Sequence, residues 1–154
     1  MAKIFSIKEE YTKKIYSKEK LLELRRQNVN IEINEICLIY TTNPIKKITG
    51  YFIVKKKIRL PIGELWKKTR SHSGVSKEKF FEYFNGCKLG TAIIFKKVRQ
   101  LKKGIDLKEI RKYKKNFTPP QSYFSVTIEL IMIIKDKIPV PPKELTKLLS
   151  HNQI

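Results

Sequence analysis

The sequence predicts an α+β fold in which short helices are inserted between the strands of one mixed, curled sheet, forming a small and partly open β-barrel. Three observations lead to this prediction. Short runs rich in β-branched and aromatic residues recur along the chain, helix-sized amphipathic segments separate them, and there is no internal repeat. The length of 154 residues suits one domain that buries a core of its own.

The first part of the chain contains a strand, a helix and one ambiguous segment. Residues 3–7 predict a short strand, and residues 8–17 predict a helix whose first turn holds Glu9 and Glu10. Residues 20–26 (KLLELRR) fit an extension of this helix as well as a strand. Hydrophobic periodicity does not separate these two alternatives over so short a segment.

The middle of the chain contains two clearer strands. Residues 35–41 are rich in β-branched and aromatic residues and are followed by a turn signal at Asn43-Pro44. Residues 50–54 predict the next strand, and Gly50 indicates a β-bulge at its start.

Two helices follow these strands, with a polar loop between them. Pro61 suits the first turn of a helix that runs through Trp66, whose side chain we expect in the core. Residues 70–74 form the loop. An aromatic helix then begins after Ser76 and ends near Gly86.

The last part of the chain predicts a strand over residues 90–99 and a short basic helix over residues 108–115, which Asp106 caps. The proline-containing turn at residues 118–122 leads into a long final strand over residues 123–134.

These elements place one domain at residues 1–135 and a proline-containing tail at residues 136–154. No segment reaches the roughly 18 apolar residues of a membrane-spanning helix, and the first residues lack a secretory signal pattern. We therefore expect a cytoplasmic protein that does not act at a membrane, and we expect a monomer.

Charge is the strongest compositional signal. The chain has 34 lysines and arginines against 14 acidic residues, which gives a formal net charge of +20. Such an excess predicts a polyanionic partner, with nucleic acid favoured over a solvated basic surface or an anionic membrane surface. The residues predicted to contact a nucleic-acid backbone are Lys67, Lys68, Arg70, Lys112, Lys114 and Lys115.

Metal and cofactor chemistry finds little support in the sequence. The two cysteines, Cys37 and Cys87, are far apart, and there are only two histidines, His72 and His151. This pattern predicts neither a zinc site nor a disulfide framework. We predict buried, inert thiols, an exposed His72 without a catalytic role, no metal and no cofactor.

The strongest candidate site lies in residues 17–26, where Lys20, Glu23 and Arg25 alternate with leucines. A carboxylate among cations suits a polar or anionic ligand, although a surface salt-bridge cluster is the alternative. On a strand, Glu23 and Arg25 would share one face. Lys20 would join them only from the turn before the strand.

The pattern Lys18-Glu-Lys20-Leu-Leu-Glu23-Leu-Arg25 resembles the signature of the ASCH domain, Gly-x-Lys-x-x-Glu-x-Arg, a branch of the PUA-like superfamily. The order of the other elements over residues 3–130 is also similar to members of that family. The resemblance implies a PUA-like β-barrel with a cleft lined by the signature strand, ligands such as RNA or nucleotides, and a strand rather than a helix at residues 20–26.

The sequence departs from the family pattern at two positions. Lys18 replaces the glycine of the signature, so a turn with positive φ there would be strained. Glu23 stands where some similar proteins, which hydrolyse N-acetylated cytidine, have a threonine. That amidohydrolase activity is therefore not carried over to this chain.

Together, charge and resemblance predict a nucleic-acid binding protein, with RNA favoured over DNA. Two alternatives stay open: an enzyme acting on RNA or a modified nucleoside, as a ribonuclease or amidohydrolase, and an interaction protein linked to transcription or translation. Lys20 and Glu23 are the candidate catalytic residues. The predicted ligand-binding residues are Lys20, Glu23, Arg25, Arg26, Tyr40, Thr41 and Gln121.

Overall fold

A computed structural model of the chain describes residues 2–126, 130, 131 and 137. The elements in chain order are β1 (Lys3–Ile7), α1 (Glu9–Tyr16), β2 (Leu22–Arg25), β3 (Ile36–Thr41), β4 (Lys47–Pro61), α2 (Ile62–Thr69), α3 (Lys77–Tyr83), β5 (Leu89–Asp106), α4 (Leu107–Tyr113) and β6 (Tyr123–Ser125). Over this part of the chain, every helix is too short to cross a membrane.

All six strands belong to one sheet, in the order β2-β5-β4-β3-β1-β6. β1 pairs with β3 in parallel, and the other neighbours pair antiparallel, so the sheet is mixed. The strands β2 and β6 are its two edges. Four short helices lie in the connections. The predicted α+β class and partly open barrel are confirmed.

Both faces of the sheet are covered. Alternate residues of the central strands point to opposite faces and belong to different core clusters. Ile4 and Leu38 belong to one cluster, which α4 covers through Ile110. Phe5 and Ile39 belong to a second cluster, which includes residues of α1. All six residues of β3 are buried, as an apolar strand in the middle of a sheet requires.

The ambiguous segment at residues 20–26 contains the strand β2 rather than a helical extension. Leu22 and Arg25 pair with Ile94 and Thr91 of β5, so the segment forms the edge of the sheet beyond β5. Leu22 and Leu24 pack with residues of α2 and α3 in a third core cluster.

The predicted long strand at residues 123–134 is wrong in length. β6 spans only Tyr123–Ser125, and Leu130 and Ile131 are helical. The reason is the length of its partner, because Ser125 already pairs with Lys3, the first residue of β1. The rest of that predicted strand, the boundary at residue 135 and almost all of the tail lie outside the described residues.

Both cysteines are free thiols, and the predicted burial is correct for Cys37 but wrong for Cys87. Cys37 is buried in β3, and burial raises the pKa of its thiol well above the usual value, so the thiol stays protonated. Cys87 is half-buried.

The bulge predicted at Gly50 is present. The pairing of β3 with β4 shifts between Gly50 and Ile48, which leaves Thr49 as the extra residue. The Thr49 hydroxyl forms a hydrogen bond of 2.6 Å with the Tyr16 hydroxyl of α1. A Cβ atom at Gly50 would overlap the Arg99 carbonyl oxygen and lie 2.6 Å from the Tyr16 hydroxyl. The bulge thus allows α1 to pack closely on the sheet.

We predict that Gly50→Ala destabilises the fold by about 1–3 kcal/mol, the range typical of overpacked interiors. The matched control is Gly63→Ala in α2, where an added Cβ meets nothing within 4 Å. That variant should be neutral or slightly more stable, because alanine favours helix. Urea unfolding of both variants provides the measurement, and equal stabilities would contradict the role given to Gly50.

Candidate nucleic-acid site

A cavity of about 320 Å³ lies between β2, the helices α1 and α3, and the segment that enters β6. It lies on the open side of the curled sheet, where the edge strand β2 faces the segment before β6 and the two described edge strands do not pair. The residues that line it are Ser6, Ile7, Lys8, Tyr11, Lys20, Glu23, Leu24, Arg25, Thr42, Val75, Lys79, Phe80, Tyr83 and Gln121.

Lys20 lies in the turn just before β2, which is the position required for it to meet Glu23. Its ammonium donates to the Ser73 carbonyl oxygen at 2.7 Å and lies 3.8 Å from Glu23 Oε2. Burial lowers the pKa of Lys20, the charges of Arg25 and Lys14 lower it further, and Glu23 opposes these effects.

The turn before β2 has the backbone strain expected from the replacement of the signature glycine by Lys18. Lys18 has φ 66°, a left-handed conformation that costs a residue with a side chain about 1–2 kcal/mol. Gly74, in the loop that covers Lys20, has φ 68°. A Cβ atom at Gly74 would lie only 2.8 Å from Lys20 Cβ. Both backbone conformations serve to place Lys20 against Glu23.

Arg25 connects the two edges of the sheet. Its Nη2 atom lies 3.0 Å from Glu23 Oε1 and donates to the Ser6 carbonyl oxygen of β1 at 3.1 Å. Its Nη1 atom donates to the Ser122 hydroxyl, just before β6, at 3.2 Å. The buried Nε atom has no hydrogen-bond partner within the described part of the chain. The side chain of Arg25 thus connects β2 to β1 and to the segment before β6, which backbone hydrogen bonds do not join to β2.

The charge around the cavity is predominantly positive. Four of the lining side chains are cationic (Lys8, Lys20, Arg25 and Lys79), whereas Glu23 is the one lining carboxylate. Two of the cations, Lys8 and Lys79, are exposed at the rim. This balance favours an anionic ligand, with Glu23 available as a hydrogen-bond acceptor inside.

Two tyrosines, Tyr11 and Tyr83, add aromatic surface to the cavity. The Lys20 ammonium lies 5.4 Å from the centre of the Tyr11 ring. Burial raises the pKa of both phenols, so both are neutral near pH 7. Neutral phenols offer a flat apolar surface together with a hydroxyl group, which suits a nucleobase.

The structure brings only some of the predicted ligand-binding residues to this cavity. Gln121 lines it together with the three signature residues. Arg26 lies outside, where it donates to the Tyr83 carbonyl oxygen and its guanidinium lies 5.1 Å from the centre of the Tyr83 ring. Tyr40 packs in the core cluster beneath α4, and Thr41 is buried against Thr49. The next residue along, Thr42, lines the cavity instead.

The residues predicted to contact a nucleic-acid backbone lie on or next to two helices, α2 and α4, and do not line the cavity. Lys67 and Lys68 are exposed on α2, and Arg70 follows as its C-cap. On α4 and beyond it, Lys112 and Lys115 are exposed and Lys114 is half-buried. These two groups form separate basic surfaces.

Sequence reasoning missed Tyr11, Lys79 and Tyr83 as cavity residues. Lys79 and Tyr83 are four positions apart and share a face of α3, a signal that could have found them. The aromatic pattern of that helix instead indicated core residues. His72 is exposed, and its imidazole forms a hydrogen bond of 2.8 Å with the neighbouring Ser71 hydroxyl.

Comparisons with known proteins agree with this geometry. No family model matches the chain. The sequence is 26% identical over 119 residues to an ASCH domain-containing ribonuclease of Zymomonas mobilis, covering 77% of this chain and 80% of that protein. A crystal structure of ASCH from Zymomonas mobilis superposes with a TM-score of 0.83 at 24% identity, covering 88% of this chain and 94% of that one.

A more distant similarity is to human THYN1 protein, in complex with DNA containing 5-methylcytosine. The TM-score is 0.55 at 18% identity, and the match covers 92% of this chain and 99% of that one. The chain therefore has the fold of the solved ASCH structure, and the resemblance inferred from residues 18–25 is confirmed.

We predict that Glu23→Gln lowers the pKa of Lys20 further, because Glu23 is the group that opposes the effect of burial. NMR titration of the lysine side-chain resonances measures this shift. The control is Glu10→Gln, which removes the carboxylate 3.3 Å from the exposed Lys79 and should not change Lys20. A Lys20 pKa that is unchanged or raised in Glu23→Gln would contradict the assignment.

Proposed function

We propose that this protein binds nucleic acid, and RNA in preference to DNA, by placing part of a strand in the cavity while lysines around it contact phosphates. The observation that carries the proposal is the cavity itself, in which cations outnumber the carboxylate on the open side of the barrel. The net charge of +20 supports the same conclusion.

The cavity offers different contacts for the two parts of a nucleotide. Glu23, which lies 3.0 Å from Arg25, is placed to accept a hydrogen bond from a base edge. Tyr11 and Tyr83 provide aromatic faces near it. Lys8 and Lys79 lie exposed at the rim, where a phosphate can remain partly hydrated. An unpaired nucleotide is the ligand that uses all these contacts.

The proteins with similar folds support this proposal. The Zymomonas mobilis relative is described as a ribonuclease, so its substrate is RNA. The human THYN1 structure contains DNA. Both solved structures, of the Zymomonas mobilis ASCH protein and of human THYN1, have a fold similar to that of this chain.

We predict that replacing both rim lysines, Lys8→Gln with Lys79→Gln, weakens binding to single-stranded RNA and leaves the thermal midpoint nearly unchanged. Both side chains are exposed, so their loss removes phosphate contacts rather than core packing. Fluorescence anisotropy at several salt concentrations provides the measurement. Each lost contact should reduce the magnitude of the salt slope by about 0.7 for a single strand.

The matched control for the rim variant is Lys13→Gln. Lys13 is on α1 and pairs with Glu9 at 3.1 Å, much as Lys79 pairs with Glu10, but it does not line the cavity. Its affinity and salt slope should match those of the native protein. Failure of the native protein to bind RNA or DNA at low salt would refute the proposed function.

Ribonuclease activity is the second candidate function, and the buried Lys20 favours it. A lysine whose pKa is lowered, 3.8 Å from a carboxylate in a cavity, is the kind of group that takes part in proton transfer. In RNA the adjacent 2′-hydroxyl can attack the phosphorus and form a cyclic phosphate, releasing a 5′-hydroxyl end. Lys20 in its neutral form would accept the proton of that 2′-hydroxyl, and the leaving 5′-oxygen would take up a proton from water to give the 5′-hydroxyl end.

We predict that, if this activity is present, a strand containing one ribonucleotide among deoxynucleotides is cut only at that ribonucleotide. An all-DNA strand should remain intact because it lacks the attacking group. Lys20→Met should remove cleavage and retain binding at the rim, whereas Lys13→Gln should cleave normally. Gel analysis of end-labelled strands gives the result, and cleavage of the all-DNA strand would contradict this mechanism.

Three further statements stay predictions: the preference for RNA, a monomeric state and a cytoplasmic location. If the protein instead acts as an interaction protein in transcription or translation, the variant with both rim lysines replaced should bind nucleic acid as the native protein does. Amidohydrolase activity has less support, since Glu23 occupies the position of the threonine found in those enzymes.

A further inference from the structure

Tyr113 is an exposed aromatic residue that the cavity does not use. It ends α4, the residue is 62% exposed, and its side chain forms no hydrogen bond or ring contact with the rest of the described chain. The helix instead attaches to the core through the buried Ile110. Tyr113 therefore contributes little to the fold, and its ring is free to contact a ligand.

The surroundings of Tyr113 are strongly basic. Lys112 and Lys115 are exposed beside it. Arg111 is held in place because its Nε atom donates to the Phe117 carbonyl oxygen at 3.0 Å. The acidic residues of this region are already engaged: the Asp106 carboxylate accepts from the Glu109 amide at 2.8 Å, and the Glu109 carboxylate pairs with Lys137. The cations are therefore available to phosphates.

The surface around Tyr113 is connected to the cavity by a short segment. Gln121, which lines the cavity, follows Tyr113 by eight residues, so the two lie at most about 28 Å apart. The segment is anchored between them, because Phe117 is buried and its ring centre lies 5.9 Å from that of Phe124. A strand of several nucleotides can span this distance.

The basic surface on α2 lacks an equivalent free ring. Trp66 lies beside Lys67 and Lys68, but its ring packs 5.0 Å from Phe80 and 6.1 Å from Phe81, measured between ring centres. The rings near the α2 surface, including the 39% exposed Phe81, thus pack on one another, whereas the surface at the end of α4 offers charge together with a ring that has no such partner among the described residues. This combination is typical of sites that bind single strands, in which successive bases stack on side chains.

We propose that Tyr113 stacks on an unpaired base of a single-stranded nucleic acid whose phosphates contact Lys112 and Lys115. The strand continues along residues 114–121 to the cavity. This inference rests on the proposed function and deepens it, because it adds a second base-binding contact outside the cavity. Duplexes bind less well at this surface since pairing and stacking hide the base faces.

The test compares Tyr113→Ala and Tyr113→Phe for binding to a single-stranded RNA, a single-stranded DNA of the same sequence and a duplex. Tyr113→Ala should lower affinity for the single strands at least about fivefold, the lower limit of what one stacked base contributes. Tyr113→Phe should bind like the native protein, because the ring is retained. Duplex binding should be the same for all three proteins.

The charge component is tested with two matched double variants. Lys112→Gln with Lys115→Gln should reduce the magnitude of the salt slope for single strands by about 1.4. Lys67→Gln with Lys68→Gln, on the α2 surface, should have a smaller effect. A larger effect of the α2 pair would place the strand on that surface and overturn the inference.

The remaining outcomes separate this inference from the proposed function. If the native protein binds single strands and Tyr113→Ala binds them equally well, the stacking contact is overturned and the proposed function stands. Equal losses for duplex and single strands in Tyr113→Ala also overturn the inference. If the native protein binds no nucleic acid, both fail. Circular dichroism confirms that the variants remain folded.

Discussion

The contacts of Arg25 are the constraint on which the rest of this structure depends. Among the described residues, β2 and β6 are the two edges of the sheet, and no backbone pairing joins them. The Arg25 guanidinium instead contacts Glu23, the Ser6 carbonyl and the Ser122 hydroxyl, which belong to β2, β1 and the entrance to β6. A rigid planar fork suits this bridging role better than a lysine ammonium would.

The same bridge creates the cavity, so fold and function share one set of residues. Burying charged groups costs several kcal/mol per ion unless partners compensate, and here Lys20, Glu23 and Arg25 compensate one another. Removing one of them would leave an uncompensated charge. Substitutions at these three residues therefore need a measurement of stability beside the functional one, whereas the exposed rim lysines and Tyr113 can be replaced without disturbing the fold.

Two residues with positive φ, Lys18 and Gly74, hold the backbone in the conformation that positions Lys20. A lysine at position 18 adopts a conformation that favours glycine, and Gly74 is needed for the covering loop to approach the Lys20 side chain. The energy that maintains this arrangement comes from the pairing of β2 with β5 and from the hydrogen bond of Lys20 to the Ser73 carbonyl. Replacement of the signature glycine therefore leaves the turn intact.

The sequence by itself determined the strand and helix types of most elements, the bulge at Gly50, the caps at Ser76 and Asp106, and the three charged residues of the site. These features depend on local preferences and on residue spacing, which the sequence states directly. The family resemblance implied a strand at residues 20–26 but residue spacing did not, and only the tertiary structure pairs residues 22–25 with β5, almost 70 positions away. It also decided the short length of β6, because β1 begins at Lys3. The alternation of side chains along a strand shows which residues share a face, but not which face lies beside the open edge of the sheet. The tertiary structure therefore decided that Tyr40 lies in the core and that Tyr11, Lys79 and Tyr83 line the cavity.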